Sequence, residues 1–142
     1  MMDRPQSIVM FERCYLGGWA VGLVNTIANW SRVSNDPRVV HANEAIGTWY
    51  LPTVTALGLL IPLILWYFIA RRGSVVAKWI VVVFAVIGVI SIGFSAVSGT
   101  LLGGWSGALA VLGVALNLFA VICLFRPDAK PWFGEVQGDV QP

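Results

Sequence analysis

Residues 75–90 read VVAKWIVVVFAVIGVI, and the apolar run continues to Val97 with Lys78, near its start, as the only charge. A helix that crosses the hydrocarbon of a bilayer needs roughly 20 apolar residues in succession, and this run supplies them. A lysine at the start of such a segment can lay its alkyl stem along lipid and snorkel its ammonium to the interface. Three more stretches of the same kind flank it. Trp49–Ala70 precedes it, Cys14–Trp30 lies further upstream with helix entered as early as Ile8, and Ser106–Phe125 follows. Trp49–Ala70 would cover about 33 Å at ~1.5 Å rise per residue, enough to span with slight tilt.

Composition agrees. The 142 residues are 58% hydrophobic and 11% charged, with a mean hydropathy of +0.80. A soluble domain carries about 25% charged residues, so most of this surface is solvated by lipid. The length holds four spans with short connections and leaves no room for a sizeable soluble domain. The sequence therefore predicts an all-α membrane protein, a four-helix transmembrane bundle forming a single domain over residues 1–142. Cys14–Trp30 could be confused with a secretory signal, but Glu12 and Asn25 suit one poorly, and we read the segment as a retained first helix. The net charge is only +2 and the basic residues form no run, so nucleic acid is not an expected partner.

Orientation follows from the basic residues. Arg4, Arg13, Arg71, Arg72, Lys78, Arg126 and Lys130 share the side that holds both termini and the second loop, whereas Arg32 and Arg38 sit in the first loop. The positive-inside rule then places both termini in the cytoplasm. Aromatic residues give the same spans. Trp30, Trp49, Tyr50 and Trp105 would form an outer belt, and Tyr15, Trp66, Tyr67, Trp79 and Trp132 an inner one. Cys14 and Cys123 fall near the cytoplasmic face, where thiols stay reduced. Arg71-Arg72-Gly73-Ser74 reads as a tight turn that makes its flanking helices antiparallel neighbours. In the first loop, Asn35-Asp36-Pro37 is a turn signal and Val39–Ile46 a candidate surface helix. The third loop, Ser98–Trp105, is Gly-rich, and the tail after Phe133 reads as frayed.

Helices in lipid associate through small residues, because apolar bulk gains little by exchanging one hydrocarbon for another. Each segment carries such a row: Tyr15, Gly18, Gly22, Asn25 and Asn29; Thr55, Gly58 and Pro62; Gly88, Ser91, Ser95 and Gly99; Ser106, Ala110, Gly113, Asn117 and Ala120. Pro62 also removes the hydrogen bond to the Gly58 carbonyl and should kink its helix. Asn25 and Asn117 could coordinate a ligand or ion. We read them as interhelical hydrogen-bonding groups, a frequent use of Asn in membrane bundles. Counted from the outer ends they lie about 7 Å and 16 Å deep at ~1.5 Å per residue, so a direct bond between them needs tilt.

Glu12, beside Arg13, lies two residues before the first span. It is expected to pair with Arg71, Lys78 or Arg126 at the inner interface rather than to titrate in transport. His41 and Glu44, with Asp36, are too few and too irregularly spaced for a metal site. No Ser-His-Asp set, phosphate loop or carboxylate pair is legible, and no cofactor is implied. Lipid or quinone binding around Trp19, Trp66 and Trp79 is an option, although aromatic belts also account for these residues.

Arg126-Pro127-Asp128-Ala129-Lys130-Pro131-Trp132-Phe133 ends the fourth segment: Pro127 disfavours helix at the preceding residue, and Trp132 and Phe133 would fold back as an interfacial anchor. This RPDAKPWF run, with FERCYLGGWAVGLVNT opening the first segment, resembles a group of small, uncharacterised four-span bacterial inner-membrane proteins. The resemblance implies the topology and a bacterial inner-membrane location and brings no activity. The expected function is a non-enzymatic accessory or assembly subunit of a membrane complex, or a homo-oligomer. The alternative is a small oligomeric transporter or channel whose route is lined by Glu12, Asn25 and Asn117.

Overall fold

A computed structural model of the protein describes residues 4–99 and 104–135, and within them every regular element is helical. The order is α1 (Gln6–Ala28), α2 (Trp30–Ser34), α3 (Pro37–Ile46), α4 (Tyr50–Arg72), α5 (Val75–Val97), α6 (Trp105–Leu124) and a terminal 3-10 helix (Pro127–Phe133). Three of these helices, α4, α5 and α6, are long and apolar enough to cross a membrane. Their bounds fall within two residues of the expected spans. The first segment differs: α1 begins at Gln6, well before Cys14, and takes Glu12 and Arg13 into its first three turns. These charges, with Asn25, leave it less apolar than the other three, although at 23 residues it is as long as α4 and α5. In the first loop Asp36 accepts the Arg38 N–H at 2.9 Å and Pro37 takes the first helical position, so the turn signal there starts α3. Residues 100–103 of the Gly-rich third loop, and the tail from residue 136, lie outside the described residues.

Helix α4 stops where a left-handed residue is needed. Gly73 has φ +58°, which glycine adopts without penalty. The reversed backbone lets the Gly73 N–H reach the Ile69 carbonyl (3.2 Å) and the Ser74 N–H the Phe68 carbonyl (3.1 Å). Ser74 then caps α5, its Oγ accepting the Ala77 N–H at 3.3 Å. Two residues thus end one helix and start the next, as the tight turn required.

The four long helices close a ring in the order α1, α6, α5, α4, and the most extensive contact is between α1 and α6. A Cβ added at Gly18 would stand 3.4 Å from the Gly113 carbonyl oxygen and 3.9 Å from the Asn117 nitrogen, so the two backbones nearly touch. The pairing is antiparallel and in one register. Gly18 meets Gly113 and Asn117 of α6, and Asn29 meets Ser106, while Ser7 meets Asp128 in the 3-10 helix beyond the end of α6. Gly18 to Asn29 and Asn117 to Ser106 are each eleven residues, about three turns of a nearly straight helix, so the same two faces stay in contact over that length.

Burial is concentrated at one end. Ile8, Phe11, Tyr15, Leu65, Ile69, Ala77, Val81, Ala120, Cys123, Leu124, Ala129 and Phe133 form one cluster beside the α4–α5 turn. Toward the other end, among the described residues, only Leu51, Ser106 and Gly107 are buried, while Phe94 is 73% and Val97 91% exposed. The bundle is closed at the end that carries both termini and open at the other.

The terminal 3-10 helix folds across the closed end. Trp132 donates its indole N–H to the Ile69 carbonyl (2.9 Å), and Asp128 accepts the Ser7 N–H (3.1 Å) at the start of α1. Lys78 corrects the expectation that it snorkels to the interface. It is 2% exposed, its ammonium lying 3.0 Å from Glu135 and 4.5 and 4.9 Å from the ring centroids of Phe125 and Phe133. The returning chain covers the lysine and brings its counter-ion, so the side chain has no need to reach water.

Gly73 sits directly beneath this strap, and any Cβ there would overlap the Trp132 carbonyl. Gly73→Ala is expected to cost more than the ~1–2 kcal/mol of a left-handed non-glycine residue, read as a lowered melting temperature together with faster proteolysis after Phe133. Asp128 gives a pH dependence. The Ser7 N–H holds its carboxyl below the ordinary value of 3.8. The stabilisation from this contact is therefore full above that value and lost as pH falls through the lower folded value. Hydrogen exchange at the Ser7 amide should accelerate in that acid window, and Asp128→Asn should abolish the acid step.

Candidate functional site

The ring of helices leaves a cleft of about 480 Å³ above the closed end. Its geometry begins with Pro62. Having no N–H, Pro62 leaves the Gly58 carbonyl without its helical donor, and the neighbouring Leu59 carbonyl accepts the indole N–H of Trp19 at 2.9 Å. This bond ties α4 to α1 edge-on and sets the Trp19 ring as a wall. Tyr15 and Trp19 of α1, Pro62 of α4, Phe84 of α5 and Asn117 of α6 line the space.

Glycines widen it. Gly18, Gly22 and Gly58 all border the cleft, yet only Gly18 is used for close helix packing. A Cβ at Gly22 or Gly58 would meet nothing within 4 Å. The row expected to pack along one face of α1 therefore divides into a contact at Gly18 and an open margin at Gly22.

The two asparagines also have different fates. Asn25 Oδ1 accepts the Ser106 hydroxyl (2.9 Å) and the Asn29 amide (2.9 Å), and the Asn29 amide donates to Ser106 Oγ (2.8 Å). This triad joins the far end of α1 to the start of α6, where Ser106 is buried. It is interhelical hydrogen bonding of the expected kind, but with Ser106 in place of Asn117. Asn117 instead lines the cleft, and its side chain has no hydrogen-bond partner among the described residues. Nor does the Tyr15 hydroxyl, although Tyr15 is only 6% exposed. Among the described residues no charged side chain lines the cleft.

The ionisable residues lie elsewhere. Glu12 pairs with Arg4 at 3.2 Å, within its own segment, and not with Arg71, Lys78 or Arg126. Arg13, Arg71, Arg72 and Arg126 are exposed around the closed end, Arg126 approaching Met10 Sδ at 4.0 Å. On α5, Ser91 is exposed and Ser95 half-buried. His41 and Glu44 form a 3.5 Å pair on the exposed face of α3. Of the three residues expected to line a transport route, the cleft holds Asn117 alone.

Two parts of this arrangement were not anticipated from the sequence: the Trp19–Leu59 bond and the enclosure of Lys78. The first had no local signal, since Pro62 frees the Gly58 carbonyl whereas Trp19 bonds that of Leu59. The second had none either, because Glu135 is distant in sequence and reaches Lys78 only through the fold-back. No protein-family model, curated protein or solved structure matches this chain.

Proposed function

We propose that the chain is a four-span protein of the bacterial inner membrane, both termini cytoplasmic, serving as a non-enzymatic accessory or assembly subunit of a membrane complex or as a homo-oligomer. The fourth span is α1. Three polar residues on α1 or at its end are matched within the chain: Glu12 by Arg4 near the closed end, and Asn25 and Asn29 by Ser106. Matched polar groups can enter lipid at modest cost. The basic residues gathered around the closed end support a cytoplasmic position for it.

The observation that carries the subunit reading is on α5. Gly93 is exposed in the last two turns of α5, and a Cβ there would meet nothing within 4 Å. Ser91 is exposed nearby, between large apolar residues such as Ile90 and Phe94. A helical glycine costs roughly 1 kcal/mol relative to alanine. Where its own chain does not use the space, a second helix can approach closely. A transport route has less support, since Glu12 and Asn25 are engaged elsewhere.

Alkaline phosphatase fused after residue 135 should be inactive and a fluorescent protein there bright; an active phosphatase would reverse the orientation. A photo-reactive residue at position 93, irradiated in native membranes, should yield one discrete adduct, with itself or with another membrane protein. Only uncrosslinked monomer, with Gly93→Leu leaving migration in mild detergent unchanged, counts against the subunit reading.

A further inference from the structure

We propose that the cleft between α1, α4 and α5 binds a neutral, planar, carbonyl-bearing lipid of the quinone type, a reading independent of any partner subunit. Four observations lead there. The volume, about 480 Å³, lies within the roughly 300–1,000 Å³ of small-molecule sites. Its lining is uncharged, so a charged headgroup would enter without compensation, at high cost. Besides Thr55, two polar groups without a hydrogen-bond partner among the described residues border it, the hydroxyl of Tyr15 and the amide of Asn117, with Tyr15 more than nine-tenths buried. Both donate hydrogen bonds, which suits a ligand presenting acceptor oxygens.

The shape narrows the class further. Trp19 is held by its bond to Leu59, so its ring is a fixed wall, and Phe84 lines the cleft from α5. Flat, immobile aromatic walls favour a planar ring over a flexible acyl ester. Gly22 and Gly58 are exposed and have open space where side chains would stand. They leave a lateral exit between α1 and α4 through which an isoprenoid tail can pass into lipid. The proposal concerns binding, with no electron transfer assigned to the chain.

The test uses the full chain in nanodiscs with decylubiquinone as probe and quenching of tryptophan fluorescence as readout. Saturable binding is expected. Tyr15→Phe and Asn117→Leu should each weaken it about tenfold, the loss typical of one buried hydrogen bond. Gly58→Leu and, separately, Gly22→Leu should abolish binding with the melting temperature kept or raised, since leucine is the better helix former. The proposal is overturned if quenching is linear and unsaturable, or if the glycine variants melt normally and still bind. It is equally overturned if oleic acid or dodecanol competes as well as decylubiquinone, because the cleft would then be selecting acyl chains.

Discussion

The close approach of α1 to α6 is the contact on which the other features depend. Glycine at position 18 allows backbone to meet backbone beside Gly113, and an eleven-residue register keeps the pair aligned over about three turns. At one end of the pair, just past the last turn of α6, Asp128 meets the Ser7 N–H and holds the terminal 3-10 helix across the bundle. The other end puts Ser106 between Asn25 and Asn29. A slip along the pair would take these polar groups away from their partners at several places together. The α4–α5 hairpin is less constrained. It is fastened by Gly73, by Trp132 on Ile69, by Lys78 and by Trp19 on Leu59.

This asymmetry accounts for the two ends of the molecule. Near the α4–α5 turn, side chains from all four long helices and the terminal 3-10 helix share one core. Away from the turn, α5 presents most of its large side chains outward, and the space between α1 and α4 is bridged by the Trp19 indole. The cleft lies at the transition between the two regimes. Its walls are held by the packed end, while its margin is formed by glycines that pack against nothing.

What was legible in the sequence is what depends on neighbours in sequence. The lengths of α4, α5 and α6 follow from apolar runs, the α4–α5 turn from Gly73, and the start of α3 from Asp36-Pro37. Side-chain partners were harder, because they depend on helix register. Asn25 and Asn117 share a chemistry and sit on similar small-residue rows, yet one is engaged by Ser106 and the other faces open space. Gly18 and Gly22, one turn apart, divide in the same way. Glu12 found Arg4 because α1 begins earlier than its apolar run implied, which brings a nearby cation within reach. Lys78 was misread because snorkelling assumes lipid or water around a side chain, and the returning 3-10 helix supplies protein instead.

The enclosure of Lys78 has a consequence for the order in which the chain comes together. Glu135 lies 57 residues after Lys78, and a ribosome makes the lysine first. Through the synthesis of α5, the third loop and α6, this cation has neither its counter-ion nor Phe133 over it. Until then the ammonium lacks the groups that offset its burial, so the beginning of α5 is enclosed only once the returning chain has been made. Docking of the last turn seals the ammonium away, so the closed end is a seam finished only after all the long helices are in place. The terminal segment thereby works as a latch on a completed fold.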